Sequence, residues 1–262
     1  MTDPVLVEHT TDGTAVVTVN RPDVRNAIDP ALLRALRTAL HELDADDDVG
    51  AIVLTGADPA FCAGLDLRRL GAPDGGLVDD VVDRSVSQAP WGDPLRTPMI
   101  GAINGAAVTG GLEIALNCDI LIASERARFA DTHARVGVLP GWRLSVLLPL
   151  YVGPGLARRM SLTGDFLSAP DALRAGLVTE VVPHEELVST ACRVAATIAG
   201  NDRAAVQTLL GSYRRLEAEL VGDGDAVEAA TAREWGATAP GPADVDRRRE
   251  EIISRGRVQN RL

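Results

Sequence analysis

Hydrophobic patterning begins at residues 5 to 19, VLVEHTTDGTAVVTV, where β-branched runs flank Asp12-Gly13. That dipeptide suits the positive φ angles of a tight turn, so a β-hairpin is predicted. Asp29-Pro30 then sets an N-cap and an N1 proline before ALLRALRTALHELD. Leu32, Leu33, Leu36, Leu40 and Leu43 fall on one face of the helix that follows. AIVLTG (51 to 56) is a short continuous apolar run, the signature of a strand buried on both faces.

Residues 71 to 98, GAPDGGLVDDVVDRSVSQAPWGDPLRTP, break this rhythm with Gly, Pro and acids around one short helical pattern. The stretch reads as a mobile segment of the kind that covers a site. PMIGAINGAAVTGG, a helix LEIALN and an apolar strand DILIAS resume the alternation. From about 194 onward strand-like runs are absent and Arg and Glu are plentiful, which predicts an α-helical C-terminal region. The expected organisation is an α/β core over 1–194 and a helical part over 195–262.

Composition narrows the partners. The chain has 262 residues, 46% of them apolar but only 3% aromatic, so its core is built mainly from Ala, Val, Leu and Ile. A net charge of −11 repels phosphate backbones and anionic lipid, which argues against nucleic acid or a membrane surface as partner. An anionic small ligand still requires a local basic site. Cys62, Cys118 and Cys192 are widely spaced and odd in number, which fits a reducing cytoplasm better than a disulfide framework or a zinc cluster. MTDPVLVEHT has neither a basic region nor a long apolar run, so no signal peptide is expected, and no membrane span is read.

The chain lacks GxSxG and HExxH, and His9, His41, His133 and His184 have no metal-ligand spacing. Gly153-Pro154-Gly155 lacks the third glycine of a dinucleotide loop, so neither a metal nor NAD is expected. Two glycine-containing turns remain, DPAFCAGLDLRR (58 to 69) and NGAAVTGGLEIALNCDI (104 to 120). Glycine permits close backbone approach, and the start of a helix leaves N–H groups without intrahelical partners. Both turns can therefore donate to a developing oxyanion, or their glycines can serve close packing alone. Glu113 stands in the first turn of an apolar helix, where a catalytic carboxylate and a carboxylate satisfied by nearby N–H groups are both open.

Six segments in order, NRPDVRNAI, AIVLTG, DPAFCAGLDL, INGAAVTGGLEIALNCDILIAS, FADTHARVGVLPG and LTGDFLSAPDALRAGLVTEVV, resemble the crotonase family of enoyl-CoA hydratases and isomerases. The resemblance spans about residues 14 to 185. It implies a crotonase-like spiral of ββα units over 1–194 and a C-terminal α-helical region over 195–262 that supports homotrimers or homohexamers. It also implies acyl-CoA thioester substrates, with coenzyme A arriving as part of the substrate and no permanently bound cofactor.

The family's oxyanion donors fall on the N–H groups of Leu65 and Gly110. Coenzyme A is implied to lie along Arg25, Ala27, Ala63, Asp66, Leu67 and Arg68, the two arginines offering the local positive charge that phosphates need. Hydratases of the family use two glutamates. Glu113 matches the first, while the second falls on His133, a departure from the pattern. Hydration needs a base for water attack at Cβ and an acid to protonate Cα. Glu113 fits the base, and His133 either supplies the proton or merely lines the pocket. Trp142-Arg143 replaces small residues that commonly follow the Pro-Gly pair, and the Trp either narrows the acyl end of the pocket or packs in the core. The implied activity is enoyl-CoA hydration, with isomerisation, C–C hydrolysis or silent acyl-CoA binding as alternatives.

Overall fold

The computed structural model describes residues 3–66 and 88–236 together with Ser254. Strands β1 (Val5–His9) and β2 (Thr14–Val19) form the expected antiparallel hairpin, and β2 runs parallel to β3 (Ala51–Gly56). Between them lies helix α1 (Pro30–Ala45), whose Asp29 side chain accepts from the Leu32 N–H. Its buried residues are Leu32, Leu33, Leu36, Leu40 and Leu43, the face that the leucine spacing marks.

From β3 onward the chain repeats one step. Each turn lays a strand in a large sheet, then a short strand in a second sheet, and a helix follows in the later turns. The pairs are β3 and β4 (Ala60–Cys62), β5 (Met99–Ile103) and β6 (Ala106–Val108), and β7 (Ile120–Ser124) and β8 (Arg128–Ala130). Helix α2 (Gly110–Leu116) follows β6, and the one-turn helix α3 (His133–Val136) follows β8. The large sheet has the order β1-β2-β3-β5-β7-β10, with β10 at Glu180–Val182. The small sheet has the order β4-β6-β8-β9, with β9 at Leu167–Ser168. This is the spiral of ββα units that the resemblance implies.

Helix α4 (Leu144–Thr163), broken at Gly153, and α5 (Ala169–Ala175) complete the wall of the main core. Helix α6 (Leu187–Ala199) covers the other face of the large sheet. There Leu187, Ala191 and Ala195 pack with Ala51, Val53, Ile100 and Ile122. Residue 194 thus lies inside a helix that packs on the sheet. Helices α7 (Arg203–Val221) and α8 (Gly224–Gly236) follow. No helix of the described residues is long and apolar enough to cross a membrane.

Candidate active site

The strands β4, β6 and β8 are neighbours and all parallel, so the segments leaving their C-terminal ends converge. These segments carry Ala63–Leu65, Thr109–Gly110 and Asp131–His133. Gly64 has φ +87, and a Cβ on it would lie 2.8 Å from the Val108 carbonyl and 3.3 Å from the Gly110 nitrogen. The first two turns therefore touch, and only glycine fits between them. The second and third are joined by the Thr109 and Thr132 hydroxyls, 2.5 Å apart, and by the Thr109 N–H donating to the Ala130 carbonyl.

Two backbone donors in these turns are not used by the neighbouring bridge or helix. Leu65 pairs with Ile28 in a parallel bridge whose hydrogen bonds run from Ile28 N to the Gly64 carbonyl and from Asp66 N to the Ile28 carbonyl. The Leu65 N–H takes no part in it. Gly110 is the first residue of α2, so its N–H has no intrahelical acceptor.

Glu113, one turn into α2, is only 3% exposed. Its Oε1 accepts from the backbone N–H groups of Gly141 at 3.0 Å and Trp142 at 2.9 Å. Its Oε2 lies 3.5 Å from His133 Nε2. His133 opens α3, which Gly137 ends at φ 88. The other ring nitrogen, Nδ1, donates to Asp131 Oδ1 at 2.6 Å, and the same oxygen accepts from the His133 backbone N–H at 3.0 Å. Asp131, His133 and Glu113 thus form a line of three buried groups, with Glu113 in the same helix that Gly110 opens.

This arrangement fixes the charge of the imidazole. Burial works against the imidazolium, but the Glu113 charge and the hydrogen bond to Asp131 outweigh it and push the pKa from 6.5 up to about 10. Burial likewise opposes the Asp131 anion, yet its bonds to His133 and the nearby Ser161 side chain hold it below the usual carboxylate range. Both ring nitrogens face carboxylates, so the ring has no lone pair turned toward a metal.

Asp131 has no part in the pattern that singled out Glu113 and His133. The signal available in the sequence is the spacing DTH itself, which lets a carboxylate fold back on both the backbone and the ring of the residue two places on. Trp142 is buried, with a ring carbon 3.4 Å from where a Gly110 Cβ would sit, so it walls the space beside the Gly110 N–H.

The turn assigned to coenzyme A is ordered by Asn26, whose side-chain amide donates to the Ala57 and Ala60 carbonyls at 2.8 and 2.7 Å. Arg25 is exposed at φ 54, and its carbonyl accepts from the Ala63 N–H, bringing Arg25, Ala27 and Ala63 to one edge. Asp66 pairs with Arg21 at 3.8 Å, and Arg21 also pairs with Asp29 at 3.0 Å. Leu67 and Arg68 lie outside the described residues, as does most of the segment read as mobile.

The remaining candidates for chemistry are tied down elsewhere. His184 bonds Ser124 and Asp58, and His41 bonds the Trp91 carbonyl. Burial pushes the Cys62 thiol up to about 12, far from a reactive thiolate.

A family model described as enoyl-CoA hydratase/isomerase matches residues 9–233. The chain is 39% identical over 202 residues to a probable peroxisomal enoyl-CoA hydratase 1 from Arabidopsis thaliana, covering 77% of this chain and 75% of the relative. It is 37% identical over 200 residues to a short-chain-enoyl-CoA hydratase of Clostridium acetobutylicum, covering 74% of each. Among solved structures, an enoyl-CoA hydratase from Mycobacterium tuberculosis H37Rv superposes with a TM-score of 0.81 at 54% identity, covering 90% of this chain and 100% of that one. On its fold and on these likenesses together, the chain belongs to the enoyl-CoA hydratase/isomerase family.

Proposed function

We propose that the protein is an enoyl-CoA hydratase that adds water across the 2,3 double bond of an enoyl-CoA thioester. The observation that carries this reading is the buried Glu113–His133 pair, 3.5 Å apart, on segments that meet the turns carrying Leu65 and Gly110. Glu113, oriented by two backbone donors, takes a proton from water as its oxygen bonds to Cβ. The π electrons move onto the thioester oxygen, where the Leu65 and Gly110 N–H groups stabilise the enolate. His133, carrying its proton at neutral pH, then delivers it from Nε2 to Cα. Proton transfer from Glu113 to His133 across the short gap between them restores the starting state.

The Asp131–His133 hydrogen bond raises C–C hydrolysis as a second reading, since an oriented imidazole can activate water. That role requires a neutral ring at working pH, whereas the two carboxylates hold this one protonated. The charge state favours an acid over a base, and so hydration over hydrolysis.

Coenzyme A enters as part of the substrate along Arg25, Ala27, Ala63 and Asp66, with Leu67 and Arg68 completing the proposed contact. The assembly is proposed to be a homotrimer or homohexamer. In support, α7 exposes Leu209, Tyr213, Leu216 and Leu220 at spacings that place them along one stripe. A cytoplasmic location is part of the same reading, supported by three free cysteines, Cys62 and Cys118 buried and Cys192 half-buried.

The test is loss of the conjugated enoyl absorbance of crotonyl-CoA with wild type and Glu113→Gln. The expected result is a product heavier by one water and a fall of roughly 10²- to 10⁴-fold in the variant. Tight binding of crotonyl-CoA by the wild type without any water addition would overturn the proposal in favour of a silent binder or another substrate.

A further inference from the structure

The segment entering α4 divides its backbone donors between two buried glutamates. The Gly141 and Trp142 N–H groups donate to Glu113. The next donors turn the other way: the Arg143 N–H reaches Glu228 Oε1 at 2.7 Å, and the Ser145 N–H reaches Glu228 Oε2 at 2.6 Å. Glu228 comes from α8 and is 5% exposed, and the proposed chemistry does not use it.

Helix α4 has no side-chain cap of its own, because Arg143 at the N-cap offers no acceptor. The Glu228 carboxylate fills that role from a helix some 80 residues away in the chain. Arg143 is also held at φ 70, a conformation that non-glycine residues adopt only when their surroundings impose it. Its guanidinium is fixed by Asp225 of α8 at 3.0 Å and Glu217 of α7 at 3.1 Å. Trp235 of α8 donates to the Gly137 carbonyl at 2.9 Å, gripping the segment at its other end.

We infer that Glu228 is a positioning residue: from α8 it holds the Gly141–Ser145 backbone so that the Gly141 and Trp142 N–H groups remain aimed at the Glu113 carboxylate. The physical link is short. Without two carboxylate acceptors, Arg143 can leave its left-handed conformation, and the peptide planes preceding it rotate with it. Those planes carry the donors that orient Glu113. Glu228→Gln keeps the shape but places an amide NH₂ against a backbone N–H, so one bond becomes a donor facing a donor. The consequence for rate rests on the role proposed for Glu113, but the consequence for the amides does not.

The experiment compares full-length wild type, Glu228→Gln and Glu228→Asp, measuring kcat and KM with crotonyl-CoA, melting temperature, and the ¹H–¹⁵N resonances of Gly141 and Trp142. The expected result for Glu228→Gln is a kcat lower by about tenfold or more with KM within about twofold, because orientation and not binding is lost. Its Gly141 and Trp142 amide protons move upfield as their carboxylate bonds weaken. Glu228→Asp keeps the charge and falls between Gln and wild type, which also serves if the Gln variant does not fold. In a Glu113→Gln background the Glu228→Gln change has little further effect on rate. A lowered melting temperature with unchanged kcat and unmoved amides would assign Glu228 to stability alone and overturn the inference. If the wild type adds no water to crotonyl-CoA, the hydratase reading fails, and the amide shifts alone then uphold or overturn the positioning role.

Discussion

A histidine held between two carboxylates keeps its proton through neutral pH, which suits His133 to the acid role proposed for it where the family pattern has a glutamate. Its pKa, raised from 6.5 to about 10, also has a consequence for stability. The folded value lies above the unfolded one, so the ion cluster's contribution is fully present below about pH 6.5 and is lost as pH rises through about 10. Activity that depends on the His133 proton declines over the same upper window. Asp131→Asn removes one of the two charges, so the alkaline limb of kcat should move to lower pH; a limb that stays in place would show that Asp131 does not set the histidine's charge. His133→Ala should lower hydration by about 10²-fold or more, and His133→Glu should restore part of it, since a carboxylic acid can donate the same proton. A His133→Glu rate no better than Ala would contradict an acid role at this position. Glu113 and His133 were legible in the sequence through their place in the six resembling segments. Asp131 was not, because its importance arises from a turn that folds its carboxylate back onto the histidine.

The strands that build the site are short. Strands β4, β6 and β8 have three residues each and are mostly buried, too short for any periodicity to show. The long elements, by contrast, could be read directly: the DG hairpin, the leucine face of α1 and the apolar run of β3 all lie where their patterns predict. Glycine placement is the one trace that the small sheet leaves in the sequence. At Gly111 a Cβ would stand 2.0 Å from the Cys62 carbonyl oxygen, so α2 sits against β4 with no room for a side chain. Gly111→Ala should therefore push α2 away from β4, costing at least about 1–3 kcal/mol in denaturant unfolding and displacing Glu113 as well. Wild-type stability in that variant would mean that the contact relaxes without consequence.

At the scale of the whole molecule, the spiral gathers three successive turns at one edge of the small sheet, and the C-terminal helices hold the result from outside. The spiral itself was legible only through the resemblance, since alternation of strand and helix does not say which strands share a sheet. Helix α7 has no buried residue, and Leu216 and Leu220 are 59% and 79% exposed, a face that a trimer would cover. Leu216→Asp with Leu220→Asp should shift the mass measured by sedimentation toward a monomer; an unchanged assembly would place the interface elsewhere. The central claim remains the reaction, and product analysis of crotonyl-CoA turned over in oxygen-18 water and in deuterium oxide tests it most directly. Water addition through an enolate predicts oxygen-18 in a hydroxyl on Cβ and one deuterium on Cα, with both lost in Glu113→Gln. Deuterium in a shifted double bond without oxygen-18, or oxygen-18 in a released carboxylate, would contradict it and assign the site to isomerisation or hydrolysis.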